Sequence, residues 1–96
     1  GSLFQVDITS YGRGTTTYDG TTIERGESTN NYMGTATTYM SGDQSMYLTF
    51  TPDARRYVYQ ATRIDGYVNE TDITDEANAG SYTLSGLTDD CRIQVY

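Results

Sequence analysis

Asp19-Gly20 stands between two β-prone runs, Thr15-Thr16-Thr17-Tyr18 and Thr21-Thr22-Ile23-Glu24. A two-residue Asp-Gly loop suits a type I′ turn, whose central positions both need positive φ, and that turn folds its flanks into an antiparallel hairpin. Register follows from the turn. Tyr18 faces Thr21 and Thr16 faces Ile23, so Tyr18 and Ile23 share one face while Thr15, Thr17, Thr22 and Glu24 share the other. The apolar pair marks the first face as the core side.

The same period-2 logic reads most of the chain as strands. Phe4, Val6 and Ile8 alternate with Gln5, Asp7 and Thr9 before Gly12-Arg13-Gly14 interrupts. Met46, Leu48 and Phe50 alternate with Tyr47, Thr49 and Thr51, and their bulk predicts a central strand that ends at Pro52-Asp53. Tyr57 to Ile64 reads as another strand, with a change of phase near Gln60-Ala61 that puts Tyr57, Tyr59, Thr62 and Ile64 on one face, as a β-bulge does. An Asp65-Gly66 turn then leads into Tyr67-Val68, and two last strands follow at Ser81 to Leu84 and Cys91 to Tyr96. Residues 27–43 are polar and then β-prone without clean alternation; they read as one irregular strand or a hairpin closed by Ser41-Gly42-Asp43. The helix candidate lies near 72–79, capped by Asp72, stopped by Gly80 and pinned by Ile73. Tyr57, Tyr59 and Val68 join Phe4, Val6, Ile8, Leu48, Phe50, Leu84, Ile93 and Val95 among the expected core residues. The predicted fold is a single mainly β domain, compact, antiparallel or mixed, shading into a small α+β arrangement through that one short helix.

Composition narrows what such a domain can do. Ninety-six residues form one domain at most. Thirteen acidic residues against six Arg leave a net charge of −7, which disfavours nucleic-acid and anionic-lipid partners. No apolar run is long enough to predict membrane insertion. With no His and one Cys, most zinc, haem and Ser-His-Asp chemistry is excluded, and no cofactor is expected. Without Lys there is neither a Schiff-base lysine nor a Lys–Asn isopeptide crosslink. Cys91 has no partner for an internal disulfide, and alternation places it beside Ile93 and Val95 as a small buried hydrophobe. Gly1-Ser2 reads as a cloning remnant, and residues 3–96 as one module excised from a longer protein.

Function falls to the surface. Of ten tyrosines, Tyr18, Tyr57, Tyr59 and Tyr82 map to core faces, while Tyr11, Tyr32, Tyr39, Tyr47, Tyr67 and Tyr96 map to turns, ambiguous segments or outward positions. Exposed Tyr among Asn, Asp and Gly offers flat rings for stacking with polar groups alongside, the material of glycan or protein recognition. Tyr32, Tyr39, Tyr47 and Tyr67 are therefore the candidate ligand-contacting residues. The acidic groups Asp72, Asp75, Glu76 and Asp89, Asp90 lack the spacing of an EF-hand loop and read as capping and turn residues. A glycosidase needs two carboxylates across a cleft, which a chain this short does not enclose, so no enzymatic activity and no catalytic residue are expected. Asn69-Glu70-Thr71 fits the N-glycosylation pattern and marks an exposed segment.

From Val6 to Tyr96 the order of signals resembles the divergent internalin-B B-repeat modules, found in tandem in surface and secreted proteins of Gram-positive bacteria and Bacteroidetes. The resemblance rests on Val6-Asp7-Ile8 before Gly12-Arg13-Gly14, on Tyr18-Asp19-Gly20-Thr21, and on Leu48-Thr49-Phe50-Thr51-Pro52-Asp53 after Gly42. It continues through Tyr57 to Gly66, Thr71-Asp72-Ile73-Thr74, Ser81-Tyr82-Thr83-Leu84-Ser85-Gly86-Leu87 and the closing alternation of Cys91 to Tyr96. The stretch from Glu27 to Tyr39 is longer than the family's second hairpin, and Tyr67 to Glu70 stands as an insertion. The resemblance implies a β-grasp-like module of a multidomain bacterial surface or secreted protein, serving as spacer, stalk or adhesive unit beside neighbouring domains of its parent chain. Two other expectations stand next to it. One is a carbohydrate-binding module using exposed Tyr. The other is an engineered or hypervariable protein binder, which predicts exposed loops over Ser28 to Asp43 on one edge.

Overall fold

The computed structural model describes residues 2–24 and 33–96. In chain order the elements are β1 (Leu3–Tyr11), β2 (Gly14–Tyr18), β3 (Thr21–Thr22), β4 (Met33–Ser41), β5 (Ser45–Pro52), β6 (Ala61–Asp65), β7 (Asn69–Asp72), α1 (Thr74–Ala79), β8 (Ser81–Ser85) and β9 (Cys91–Val95). They build a five-stranded sheet of order β4-β1-β9-β6-β7 and a four-stranded sheet of order β3-β2-β5-β8. Every neighbouring pair is antiparallel except β1 and β9, which run parallel from Val6 opposite Cys91 to Ser10 opposite Val95. The mainly β fold with one short helix is as the sequence predicts. The finding beyond it is the pair of sheets: the mixed sheet is covered by a second sheet, with α1 too short to do so alone.

One apolar cluster fills the space between the sheets. Val6 and Ile8 from β1, Cys91, Ile93 and Val95 from β9, and Met46, Leu48 and Phe50 from β5 all reach it, each from alternate positions of its strand. The turn at Asp19-Gly20 has φ of 46° and 82°, the positive pair that a type I′ hairpin requires, and Tyr18 faces Thr21 as expected. Ile23 donates its amide to the Thr16 carbonyl at 2.9 Å, so both lie on the core side. The buried Thr16 hydroxyl is satisfied by the Ser10 hydroxyl at 3.0 Å, a polar link between the two sheets.

Several expectations are corrected. Residues 33–41 form neither an irregular strand nor exposed loops but a regular nine-residue strand, paired with β1 along its whole length. Its inward positions, Gly34, Ala36 and Thr38, are small, which hides the alternation until Met40. Gly34 is small for a reason: a Cβ there would sit 2.6 Å from the Glu24 carbonyl oxygen. Residues 27–32 lie outside the described residues. The predicted strand from Tyr57 is shorter, beginning at Ala61. Before it, Val58 is buried while Tyr57 and Tyr59 are 72% and 75% exposed. That segment is held at Val58 by one side chain, since Asn78 accepts the Val58 amide and donates to the Val58 carbonyl, each at 2.9 Å, and by backbone bonds of Tyr59 and Gln60 to Tyr96. Val68, expected in the core, is exposed at the β6–β7 turn.

The helix begins two residues after its predicted start because Asn69–Asp72 pairs with β6. Ile73 is buried and Gly80 ends the helix, as expected. Asp72 accepts both the hydroxyl and the amide of Thr74, bonds that hold its carboxyl below the usual carboxylate range. Depression of this acid means its contribution is present above the unfolded-state value and disappears as pH falls through the folded-state one.

Gly34→Ala is expected to destabilise the fold by about 1–3 kcal/mol, because the Glu24 backbone must move aside. Thr35→Ala, on the outward face of the same strand, should change stability by about 0.5 kcal/mol or less. Denaturant midpoints of the two variants test the contrast.

Candidate functional site

The outward face of the five-stranded sheet is a lattice of side chains in register. Thr37, Asp7, Arg92, Ile64 and Glu70 form one row across all five strands. Thr35, Thr9, Gln94, Thr62 and Asp72 form the next. Strand spacing of about 4.8 Å and a two-residue rise of about 6.6 Å set the mesh of this lattice.

Asp7 is the hub of the face. Its carboxylate accepts the Gln5 side-chain amide at 3.1 Å to each oxygen and the Thr37 hydroxyl at 2.8 Å. The Tyr67 hydroxyl also points to it, at 3.4 Å. Tyr67 has φ of 61°, as has Gly66, so the turn from β6 to β7 is centred on Gly66-Tyr67, one residue beyond the expected Asp65-Gly66 pair, and is closed by the Val68 amide on the Asp65 carbonyl at 3.2 Å. This conformation lays the ring over the sheet, where the Arg92 guanidinium sits 4.9 Å from its centroid in a cation–π contact. Lost hydration, then the charges of Asp7 and Asp90, raise the Tyr67 hydroxyl above the ordinary phenol range. It is therefore a neutral hydrogen-bond donor at physiological pH. Tyr39, opposite Gln5 in register, lies on the same face and is exposed. Beyond the second row, Tyr11 and Tyr96 stack with centroids 4.7 Å apart and planes 5° apart.

Two shallow grooves run over this face. One, of about 350 Å³, is lined by Asp7, Thr9, Tyr11, Thr35, Arg92 and Gln94 among others. The other, of about 310 Å³, lies between Tyr59, Glu70, Gln94 and Tyr96. Between the sheets, a cleft of about 30 Å³ beside Tyr11 and Val95 has room for a water and little else.

The four candidate tyrosines therefore separate. Tyr39 and Tyr67 share the lattice face, Tyr39 opposite Gln5 in register and Tyr67 with its hydroxyl towards Asp7. Tyr47 sits on the outward face of the other sheet, opposite Thr83, with its amide held by the Asp19 carboxylate at 2.8 Å. Tyr32 lies outside the described residues. That second face is a plane of hydroxyls: Thr22, Thr17, Thr49 and Ser81 form one of its rows, and Thr17 bonds Thr49. Sequence reasoning missed Asp7, Arg92 and Gln94 as site residues. Alternation does point each of them outward; the missing information is that the first and last strands are neighbours.

Arg63 is a second feature that the pattern concealed. It lies opposite Ile93 and so projects between the sheets, with its side chain 14% exposed. Burial works against the guanidinium, and hydrogen bonds to the Tyr82 hydroxyl at 3.0 Å and to Asp65 at 3.1 Å outweigh it, leaving the Arg63 pKa raised. Both partners satisfy the cation where a bare charge would be expelled. Cys91 lies close by, and desolvation followed by the Asp65 charge pushes its thiol up to about 12. It has the environment of a packed side chain, with its nucleophilic form suppressed.

Among the described residues, no group of three His, Cys, Asp or Glu side chains is placed to hold a metal ion. No helix of the described residues is long and apolar enough to cross a membrane. Comparisons with protein-family models, with curated proteins and with solved structures returned no match.

Cys91 should resist alkylation in the native protein at pH 8 and react at an ordinary thiol rate once denatured, as read by mass spectrometry of iodoacetamide-treated samples. Because its folded value is raised, the thiol's contribution to stability is complete below the unfolded value of about 8.5 and is lost as pH climbs towards 12.

Proposed function

We propose that this chain is a non-catalytic spacer and interaction module of a multidomain bacterial surface or secreted protein, the role implied by its sequence resemblance. The observation that carries the reading is the parallel pairing of the two terminal strands. Leu3 begins β1 at one end of the sheet, whereas Val95 ends β9 beside Ser10 at the other. The seven residue steps of β1 from Leu3 to Ser10, at about 3.3 Å each, separate these ends by about 23 Å. Sequence attached on either side would therefore leave in opposite directions and set neighbouring domains in line. Small-angle scattering of two copies fused head to tail by a short linker tests this geometry. A maximum dimension close to double that of one copy is expected; a pair hardly longer than a single copy overturns the in-line reading.

A second reading, recognition of a neutral glycan, is favoured by the lattice face. Asp7, Arg92, Gln94 and Thr35 supply charged, amide and hydroxyl groups along a shallow groove of the size a short sugar chain would occupy, and Tyr67, against Asp7 and Arg92, and Tyr39, opposite Gln5, lie on the same face beyond the groove's lining. On a glycan array, Tyr67→Ala and Tyr39→Ala should each weaken binding about 10-fold, roughly 1.4 kcal/mol. Tyr47→Ala, on the opposite face, should leave it unchanged. Absence of any binding above background retires the sugar reading.

A further inference from the structure

We propose that the β1–β9 ladder is a shear clamp, a load-bearing unit that resists unfolding when the chain is pulled from its two ends. Parallel neighbours joined at opposite ends are dragged past one another along their own axes. The ladder bonds are then strained together, whereas an antiparallel pair pulled from one end opens a bond at a time. Five residue pairs, from Val6–Cys91 to Ser10–Val95, make up the ladder. It is closed at both ends. At the entry end the Gln5 amide donates to the Asp90 carboxylate at 2.9 Å. At the exit end Tyr11 and Tyr96 stack, and Tyr96 exchanges backbone bonds with Tyr59 and Gln60, each at 2.8 Å.

The clamp is also held from the sides. β1 is paired over nine residues with β4, and β9 over five with β6, so neither strand can swing out of the plane. Sliding β1 against β9 would carry Val6, Ile8, Cys91, Ile93 and Val95 through a core in which all five are buried. Packing at this density yields in discrete steps and resists gradual shear. The use of such a clamp rests on the in-line placement proposed above, but the clamp itself does not.

Single-molecule pulling of the protein between flanking reference domains tests it, because forced unfolding reports the unfolding barrier along the pulled direction. Attachment at the two chain ends loads β1 against β9. Attachment at the N-terminus and at Asp43→Cys loads β1 against β4 from the end where Leu3 faces Ser41. The end-to-end rupture force is expected to be several-fold the higher of the two. Tyr96→Ala, which removes the stack with Tyr11, should lower the end-to-end force and leave the other unchanged. Equal forces in the two geometries, or an end-to-end force indifferent to Tyr96→Ala, overturn the clamp. A high force combined with compact tandem fusions would sustain the clamp and remove only the in-line reading.

Discussion

The contact on which the rest depends is the parallel pairing of β1 with β9. It places the last strand in the middle of the five-stranded sheet, between the first strand and β6. Without β9 the sheet divides into β4-β1 and β6-β7, and Cys91, Ile93 and Val95 leave the core. Because these partners lie at opposite ends of the chain, nearly the whole chain has to be closed as a loop before the pairing returns any free energy. The Asp19-Gly20 hairpin and the β6–β7 turn, by contrast, rest on neighbours in sequence. Local turns supply the pieces, and one distant contact makes them a domain.

Legibility in the sequence follows the same division. Features set by local chemistry were readable: the positive-φ turn at Asp19-Gly20, the alternation of Met46, Leu48 and Phe50, the helix pinned by Ile73 and ended by Gly80. The errors occurred where packing across the fold overrode the local pattern. Tyr57 and Tyr59 have strand propensity, but Asn78 captures the Val58 backbone and turns both rings out. β4 lacks visible alternation because its inward side chains are small, and Gly34 has to be small where the Glu24 backbone passes. Arg63 occupies an inward position that a hydrophobicity pattern assigns to the outside, and it is tolerated there because Asp65 and Tyr82 complete its bonds. Of the candidate site, the outward direction of Asp7 and Arg92 was legible from alternation, whereas Tyr39 lies in a segment whose alternation is hidden and Tyr67 follows a turn. Their assembly on one face was not, because it depends on pairing between distant strands.

The two outward faces differ in kind although both come from period-2 strands. One carries amide, hydroxyl and phenol groups bonded to the Asp7 carboxylate, with the Arg92 guanidinium over the Tyr67 ring. The other is dominated by Thr and Ser hydroxyls. A face whose charged groups are already held in place has less side-chain freedom to lose on contact than one whose groups are free. Strands that bury Val6 and Ile8 inward present Asp7 and Thr9 outward, so the core and the polar lattice are two sides of the same alternation.

The four sheet margins also differ. β3 is two residues long and β7 carries Glu70 and Asp72, so both discourage an added strand. β4 is nine residues long, without a charge or a proline, and among the described residues its outer margin has no strand beside it. Against an added copy stands the acid excess of the domain as a whole, with a net charge of −7. Colloidal behaviour is thus governed by pH and salt: as carboxylates protonate or ions screen them, mutual repulsion fades while the open backbone of β4 stays as it was.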